Sequence, residues 1–255
     1  MAVLLHHDAT GPADGPVLVL SGSVGSTVEM WEPNLGALSR HFRVIRLDHR
    51  GHGSSPTVAG PSRIADLADD ALATLDHLGV DTFAWCGLSM GGMVGMVIAA
   101  DHPQRVTSLV LCCTSAHLAD PSVWRERADA LRRGASTAAL APGIVRRWFT
   151  PRWASDHPAE VERAQGWVSA TSADAYRACC EAIAAWNHRP RLADITAPTL
   201  VIAGAHDVAT PVDPDARLLV DAIPNARLEV LDAAHLATME TPEVATESIR
   251  VHVAG

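Results

Sequence analysis

The chain has 255 residues, 48% of them hydrophobic, enough to bury the core of one large domain or of one domain with an insertion. A net charge of −9 with no basic tract argues against a nucleic-acid partner. Every basic residue is an arginine, so no Schiff-base lysine is available, and no apolar run approaches the length that spans a bilayer.

The start, Met1-Ala2-Val3-Leu4-Leu5-His6-His7, lacks the charged region and cleavage site of a secretory signal. Val17-Leu18-Val19-Leu20 is the first clear β-type run, followed by a loop, Ser21 to Thr27, and a helix from about Glu32 to Arg40. Phe42 to Leu47 predicts a second strand, which opens into Asp48-His49-Arg50-Gly51-His52-Gly53-Ser54-Ser55. That loop gathers Asp and His, but its spacing fits no zinc pattern, and its glycines predict a shaped structural turn. From Ile64 to Leu78 the apolar residues fall on one stripe at helical period.

Thr82-Phe83-Ala84-Trp85-Cys86 then runs as a strand into Gly87-Leu88-Ser89-Met90-Gly91-Gly92, with a small, apolar helical pattern from Met90 to Ala100. Gly-x-Ser-x-Gly between strand and helix is the spacing of a nucleophile elbow, in which the serine takes a strained backbone and projects its hydroxyl above the sheet. An ordinary glycine-rich turn would share the spacing, but not its placement between those two elements. Val106 to Cys112 is the next strand. From 117 to 190 the chain predicts only helices, broken by Pro121, Gly134, Pro142-Gly143, Pro151 and Pro158, and Trp124, Trp148, Trp153 and Trp167 lie there. Strand and helix alternation resumes with Thr199–Ala203, a helix at 213–222, Arg227–Leu231 and a helix at 242–253. Continuous apolar strands alternating with helices predict a parallel sheet covered on both faces. The helical stretch then reads as a lid over the strands' carboxyl ends, a separate helical domain being the alternative. Five cysteines stand as Cys86, Cys112-Cys113 and Cys179-Cys180, with no Cys-x-x-Cys spacing; reduced, buried thiols in a cytoplasmic protein are expected.

A serine needs a base to take its proton and an acid to orient that base, in the chain order Ser, Asp or Glu, His for this kind of fold. His235 directly follows the last strand and emerges at the same sheet edge as the elbow, whereas His206 and His252 compete from less suitable places. Asp207 follows the Thr199–Ala203 strand and is the favoured acid, although it could simply cap the next turn. Asp232 is an alternative, and Asp213 looks like a helix N-cap. An oxyanion requires two backbone donors, expected from Met90 and from Val24 in the Ser21-Gly22-Ser23-Val24-Gly25 loop.

Together the elbow, the Asp-x-Arg-Gly-x-Gly-x-Ser loop and the Gly-x-x-Asp-x-x-Thr-Pro segment resemble the α/β-hydrolase superfamily over nearly the whole chain. More narrowly, residues 18–25, Met30-Trp31-Glu32-Pro33, Leu109–Cys112, Arg147-Trp148-Phe149-Thr150-Pro151 and Cys179-Cys180 resemble the 3-oxoadipate enol-lactonases. The resemblance implies an α/β-hydrolase fold with a mostly parallel central sheet, helices on both faces and a helical lid inserted after the sixth strand. Residues 1–116 and 191–255 would be the core and 117–190 the lid. It further implies a catalytic triad of Ser89, Asp207 and His235, a small anionic lactone as substrate, and no metal or organic cofactor. Arg147 and Trp148 become the expected substrate-binding residues, with Arg146 and Arg125 as alternatives for the arginine. Two departures stand out: relatives carry a further strand ahead of residues 3–7, and their usual Asn is Gly22 here. Esterases and C–C bond hydrolases would use the same triad, a non-catalytic receptor could carry this fold, and assembly into a homo-oligomer is left open.

Overall fold

The computed structural model describes residues 2–255. Its sheet strands are β1 (His7–Thr10), β2 (Val17–Ser21), β3 (Arg43–Leu47), β4 (Phe83–Leu88), β5 (Val106–Cys112), β6 (Thr199–Gly204) and β7 (Ala226–Leu231). They lie in the order β1-β3-β2-β4-β5-β6-β7, with β1 antiparallel to β3 and every other pair parallel. Central β4 and β6 are buried along their whole length, so they read as unbroken apolar runs rather than as alternations. Edge strand β7 instead carries Arg227 and Glu229 and is only partly covered, as suits a strand with one unpaired side.

The strand order reverses direction between β3 and β4, on either side of β2. In a parallel sheet that reversal opens a crevice at the carboxyl ends of the strands, where the loops after β2 and β4 part. Helices α1 (Glu32–Leu38), α2 (Ile64–His77) and α3 (Met90–Asp101) follow the first strands. All of α3 but its last residue is buried, which is why its sequence is apolar all round instead of striped.

Ahead of the ladder, helix α2 takes the amides of residues 3 and 5, while His6 N donates to Ser55 Oγ at 2.8 Å and His6 O accepts from Asp48 N at 3.1 Å. The Val3 and Leu5 amides donate to Asp70 Oδ1 (2.8 Å) and Thr74 Oγ1 (2.9 Å). These two polar side chains occupy buried positions within the stripe of α2, and Arg50 also forks onto Asp70, with Nη2–Oδ1 at 2.7 Å. The helical insertion therefore follows β5, the fifth strand of the described residues, and not a sixth. That corrects the expected sixth strand: among the described residues no strand precedes β1.

Five helices fill the stretch between β5 and β6: α4 (Ser122–Arg132), α5 (Thr137–Val145), α6 (Pro151–Asp156), α7 (Pro158–Ala170) and α8 (Ala173–Ala184). An isolated bridge between His117 and Asn187, with Trp186 Nε1 donating to Ser115 O at 2.7 Å, draws the two ends of the stretch together. After β6, residues 212–216 make a single wide turn and helix α9 begins only at Arg217, ending at Ala222. Asp213 is extended there and does not cap a helix, contrary to the expected 213–222 helix. Helices α10 (Ala237–Glu240) and α11 (Pro242–Ala254) complete the chain. Among the described residues, no helix is long and apolar enough to cross a membrane. All five cysteines are free and buried.

Candidate active site

The turn from β4 into α3 forces Ser89 to φ 57° and ψ −114°, a left-handed conformation that costs a non-glycine residue about 1–3 kcal/mol. Four hydrogen bonds hold it there. Ser89 N donates to Cys112 O (2.9 Å), while Ser89 O accepts from Thr114 Oγ1 (2.7 Å), Gly92 N (3.0 Å) and Met93 N (3.1 Å). Glycine is required on either side for want of space. A Cβ on Gly87 would collide with the Gly91 backbone, and one on Gly91 with the Ser21 carbonyl.

The loop after β2 is tied down by its carbonyls. Gly22 O accepts from Gly91 N (3.0 Å) and lies 3.2 Å from His49 Nε2, while Ser23 O accepts from Ser26 N (3.1 Å) and Ser26 Oγ (2.7 Å). Among the described residues, neither the Ser23 nor the Val24 amide finds a protein acceptor, and both residues face the cavity that His235 lines. Gly22 has a packing reason as well: a Cβ there would lie 2.6 Å from both Met30 Sδ and Ser26 Oγ, so these side chains hold the space an Asn would use. The His49 loop serves this architecture. Burial and the neighbouring His52 press the His49 imidazole down to about 3, so it stays neutral and donates its Nε2–H to the Gly22 carbonyl. Asp48 in the same loop accepts from Val28 N (2.7 Å) and Ser54 N (3.1 Å).

Across the crevice, the loops after β6 and β7 bring Asp207 and His235 together, with Nδ1 and Oδ2 2.7 Å apart. Ser89, Asp207 and His235 are each 4% exposed. Asp207 also accepts from Ala209 N (2.7 Å), Thr210 N (3.2 Å) and Thr210 Oγ1 (2.7 Å). Burial drives its carboxyl upward, yet the charge and hydrogen bond of His235, with Thr210 and Ala209, outweigh burial and hold it below its ordinary value. An ionised Asp207 makes Nδ1–H of His235 the donor and leaves Nε2 free to accept a proton. The competing groups go elsewhere: His206 pairs with Asp232 at 2.8 Å, both well exposed at 56% and 93%, and His252 Nε2 lies 3.1 Å from Leu109 O.

Above His235 the helical insertion leaves a narrow cavity with about 30 Å³ of space open to water, bounded by Trp148, Ile144, Tyr176, Arg127 and Arg147. Arg146 and Arg125 point out to solvent. Arg147 is half-buried and donates to Val208 O at 3.2 Å; burial and the nearby Arg127 charge lower its pKa, against a smaller pull from Asp207. Arg127, which the sequence reading did not single out, lies 4.8 Å above the Trp124 ring. Neither guanidinium joins an ion pair among the described residues. The Tyr176 hydroxyl is fully buried at the same cavity without a hydrogen-bond partner, and its ring packs on Gly25, 2.9 Å from where a Cβ would sit. The i, i+3 spacing of Trp124 and Arg127 on α4 is a sequence signal that places these two on one face of that helix.

A family model for the alpha/beta hydrolase fold matches residues 15–242. The chain belongs to that family. The 3-oxoadipate enol-lactonase 2 of Acinetobacter baylyi is 37% identical over 247 residues, covering 97% of this chain and 92% of its own. The 3-oxoadipate enol-lactonase 1 of the same organism is 31% identical over 233 residues, covering 91% and 86%. Among solved structures, the enol-lactonase from Burkholderia xenovorans superposes with a TM-score of 0.95 at 37% identity, over 98% of this chain and 96% of that one. An α/β-hydrolase with these relatives is a carboxylic ester or lactone hydrolase.

Proposed function

We propose that the protein opens 3-oxoadipate enol-lactone to 3-oxoadipate, in the cytoplasm, as a step of the β-ketoadipate route of aromatic degradation. Near-full-length similarity to two enol-lactonases carries the reading. In the mechanism, Ser89 Oγ attacks the lactone carbonyl while His235 Nε2 takes its proton and Asp207 steadies the imidazolium. The Met90 N–H and a free amide of the β2 loop, Val24 or its neighbour Ser23, receive the oxyanion. Collapse expels the ring oxygen as an enolate, a good leaving group that takes up the proton held by His235 and becomes the ketone, which returns the imidazole to its neutral form. His235 then draws a proton from water, whose oxygen attacks the acyl-enzyme, and returns that proton to Ser89 Oγ as the acyl bond breaks and 3-oxoadipate leaves. No step needs a metal or an organic cofactor.

Residues 117–190 act as a lid. The space beneath it holds about two waters, whereas ligand sites run to roughly 300 Å³ and more, so the substrate enters with the lid displaced. Two guanidiniums side by side without an acid partner suit an incoming carboxylate, and Trp148 gives the ring an apolar wall. The test is turnover of the enol-lactone beside a neutral p-nitrophenyl ester by wild type, Arg147→Ala and Arg127→Ala. A charge-assisted hydrogen bond is worth about 1.5–3 kcal/mol, so each variant should lose roughly 10- to 150-fold in kcat/KM on the anionic lactone alone. Equal losses on both substrates would make the arginines lid packing, and wild type active only on the ester would leave the chain an esterase.

A further inference from the structure

Helix α10 ends in Glu240, a half-buried carboxylate at the edge of a surface cavity shared with Thr150 and Asp232, where three backbone segments meet. Its Oε1 accepts from Ala234 N at 2.7 Å, the residue immediately before His235. Its Oε2 accepts from Thr150 Oγ1 at 2.7 Å, and Thr150 N lies 3.1–3.2 Å from the two oxygens. Thr150 is the N-cap of α6, in the insertion. On the other side of His235, Leu236 N donates to Trp148 O at 2.9 Å. The backbone on both flanks of the histidine is therefore held, through Glu240 or directly, by residues 148–150, the same stretch that sets Arg147 and Trp148 over the cavity.

We infer that Glu240 is a positioning residue that locks the His235 loop to the 148–150 segment, so that the imidazole and the substrate-facing wall move as one unit. It touches no reacting atom. Its four acceptor contacts are all with donors, so a carboxylate is the side chain that can satisfy them at once. The consequence is mechanical: any lid opening hinges away from residues 148–150, while this corner stays fastened to the triad. A displacement of about 1 Å at a catalytic group can cost on the order of 100-fold, which is the loss such a fastening prevents.

The inference rests on the serine-hydrolase reading, and the experiment separates the two. Wild type, Glu240→Ala, Glu240→Gln and Thr150→Val are titrated with an organophosphonate that labels Ser89, and kcat per labelled site is measured on p-nitrophenyl acetate. Hydrogen exchange at Ala234, Leu236 and Thr150 is followed in parallel. Glu240→Ala should lose about 10- to 100-fold in kcat per site, with KM moved far less, and should speed exchange at all three amides. Glu240→Gln retains one acceptor oxygen for Ala234 N, and the Thr150 hydroxyl can turn to accept, so it should recover to within about fivefold of wild type. Thr150→Val, which spares the Ala234 bond, should lose a few-fold and combine non-additively with Glu240→Gln. A kcat per site within twofold of wild type in Thr150→Val and in folded Glu240→Ala would overturn the inference while leaving the hydrolase intact. No labelling of Ser89 in wild type would instead overturn the hydrolase reading, and the exchange data would still test the lock.

Discussion

At the scale of single residues, the choice between Asp207 and Asp232 shows how burial divides two similar carboxylates. Asp207 is enclosed with three donors and the imidazole, whereas Asp232 stands in solvent beside His206. Replacing Asp207 by Asn removes the acceptor that keeps the proton on His235 Nδ1, so the wrong tautomer should prevail. In the serine-protease precedent this change costs about 10⁴-fold in kcat. Asp232→Asn breaks only an exposed pair and should leave kcat within twofold. Steady-state kinetics on any good ester decides between them, and the reverse ranking would reassign the acid.

Among the elements, the β4–α3 junction concentrates the tightest steric demands. Gly91 sits in the first turn of α3 with its Cα facing the Ser21 carbonyl, while Gly166 lies on the open side of α7 with no atom near its missing Cβ. The same substitution should therefore act with opposite sign at the two sites. Gly91→Ala forces apart β2 and α3 and should cost about 1–3 kcal/mol or more, with loss of Ser89 labelling. Gly166→Ala relieves the entropy cost of glycine in an exposed helix and should stabilise by about 0.5–1 kcal/mol. Urea melts of the two variants check both signs. Elements were largely legible in the sequence where one period dominated, as in the stripe of α2 and the apolar runs of β4 and β6. The ends were less so: the helix expected from Asp213 starts at Arg217, because residues 212–216 turn too widely for an ordinary helix start.

For the molecule as a whole, buried neutral histidines make stability depend on pH. Burial presses His49 to about 3 and His52 to about 4, from an ordinary value of 6.5. Between pH 6.5 and 4 the unfolded chain binds protons at both positions and the folded chain does not. Acid therefore draws the equilibrium toward unfolding: the stability is complete above about pH 6.5 and falls as pH drops toward 4, by up to about 1.4 kcal/mol per pH unit for each histidine. The lowered Asp207 carboxyl adds a loss only further down, as pH falls below the ordinary carboxylate value of 3.8. His52→Asn removes one of these sites, so its melting temperature should decline less than that of wild type between pH 7 and pH 4.5. Parallel declines would mean that His52 takes up its proton in the folded state.

The sequence by itself determined the elbow, the order of strand and helix, and the short list of groups able to serve Ser89, because each depends on residues close together along the chain. Gly87, Ser89 and Gly91 span a single turn, and Asp207 and His235 each stand just past an apolar strand. Only the tertiary structure decided what meets across the crevice. It joined Asp207 to His235, sent His206 and Asp232 outward, brought Arg127 beside Arg147, and closed Glu240 onto Thr150 and Ala234. Except for Glu240 and Ala234, six residues apart, those contacts link segments tens of residues apart, and they are set by how the β6 and β7 loops meet each other and the insertion. Hydrophobic period and turn chemistry, the signals a sequence carries most plainly, do not encode that packing.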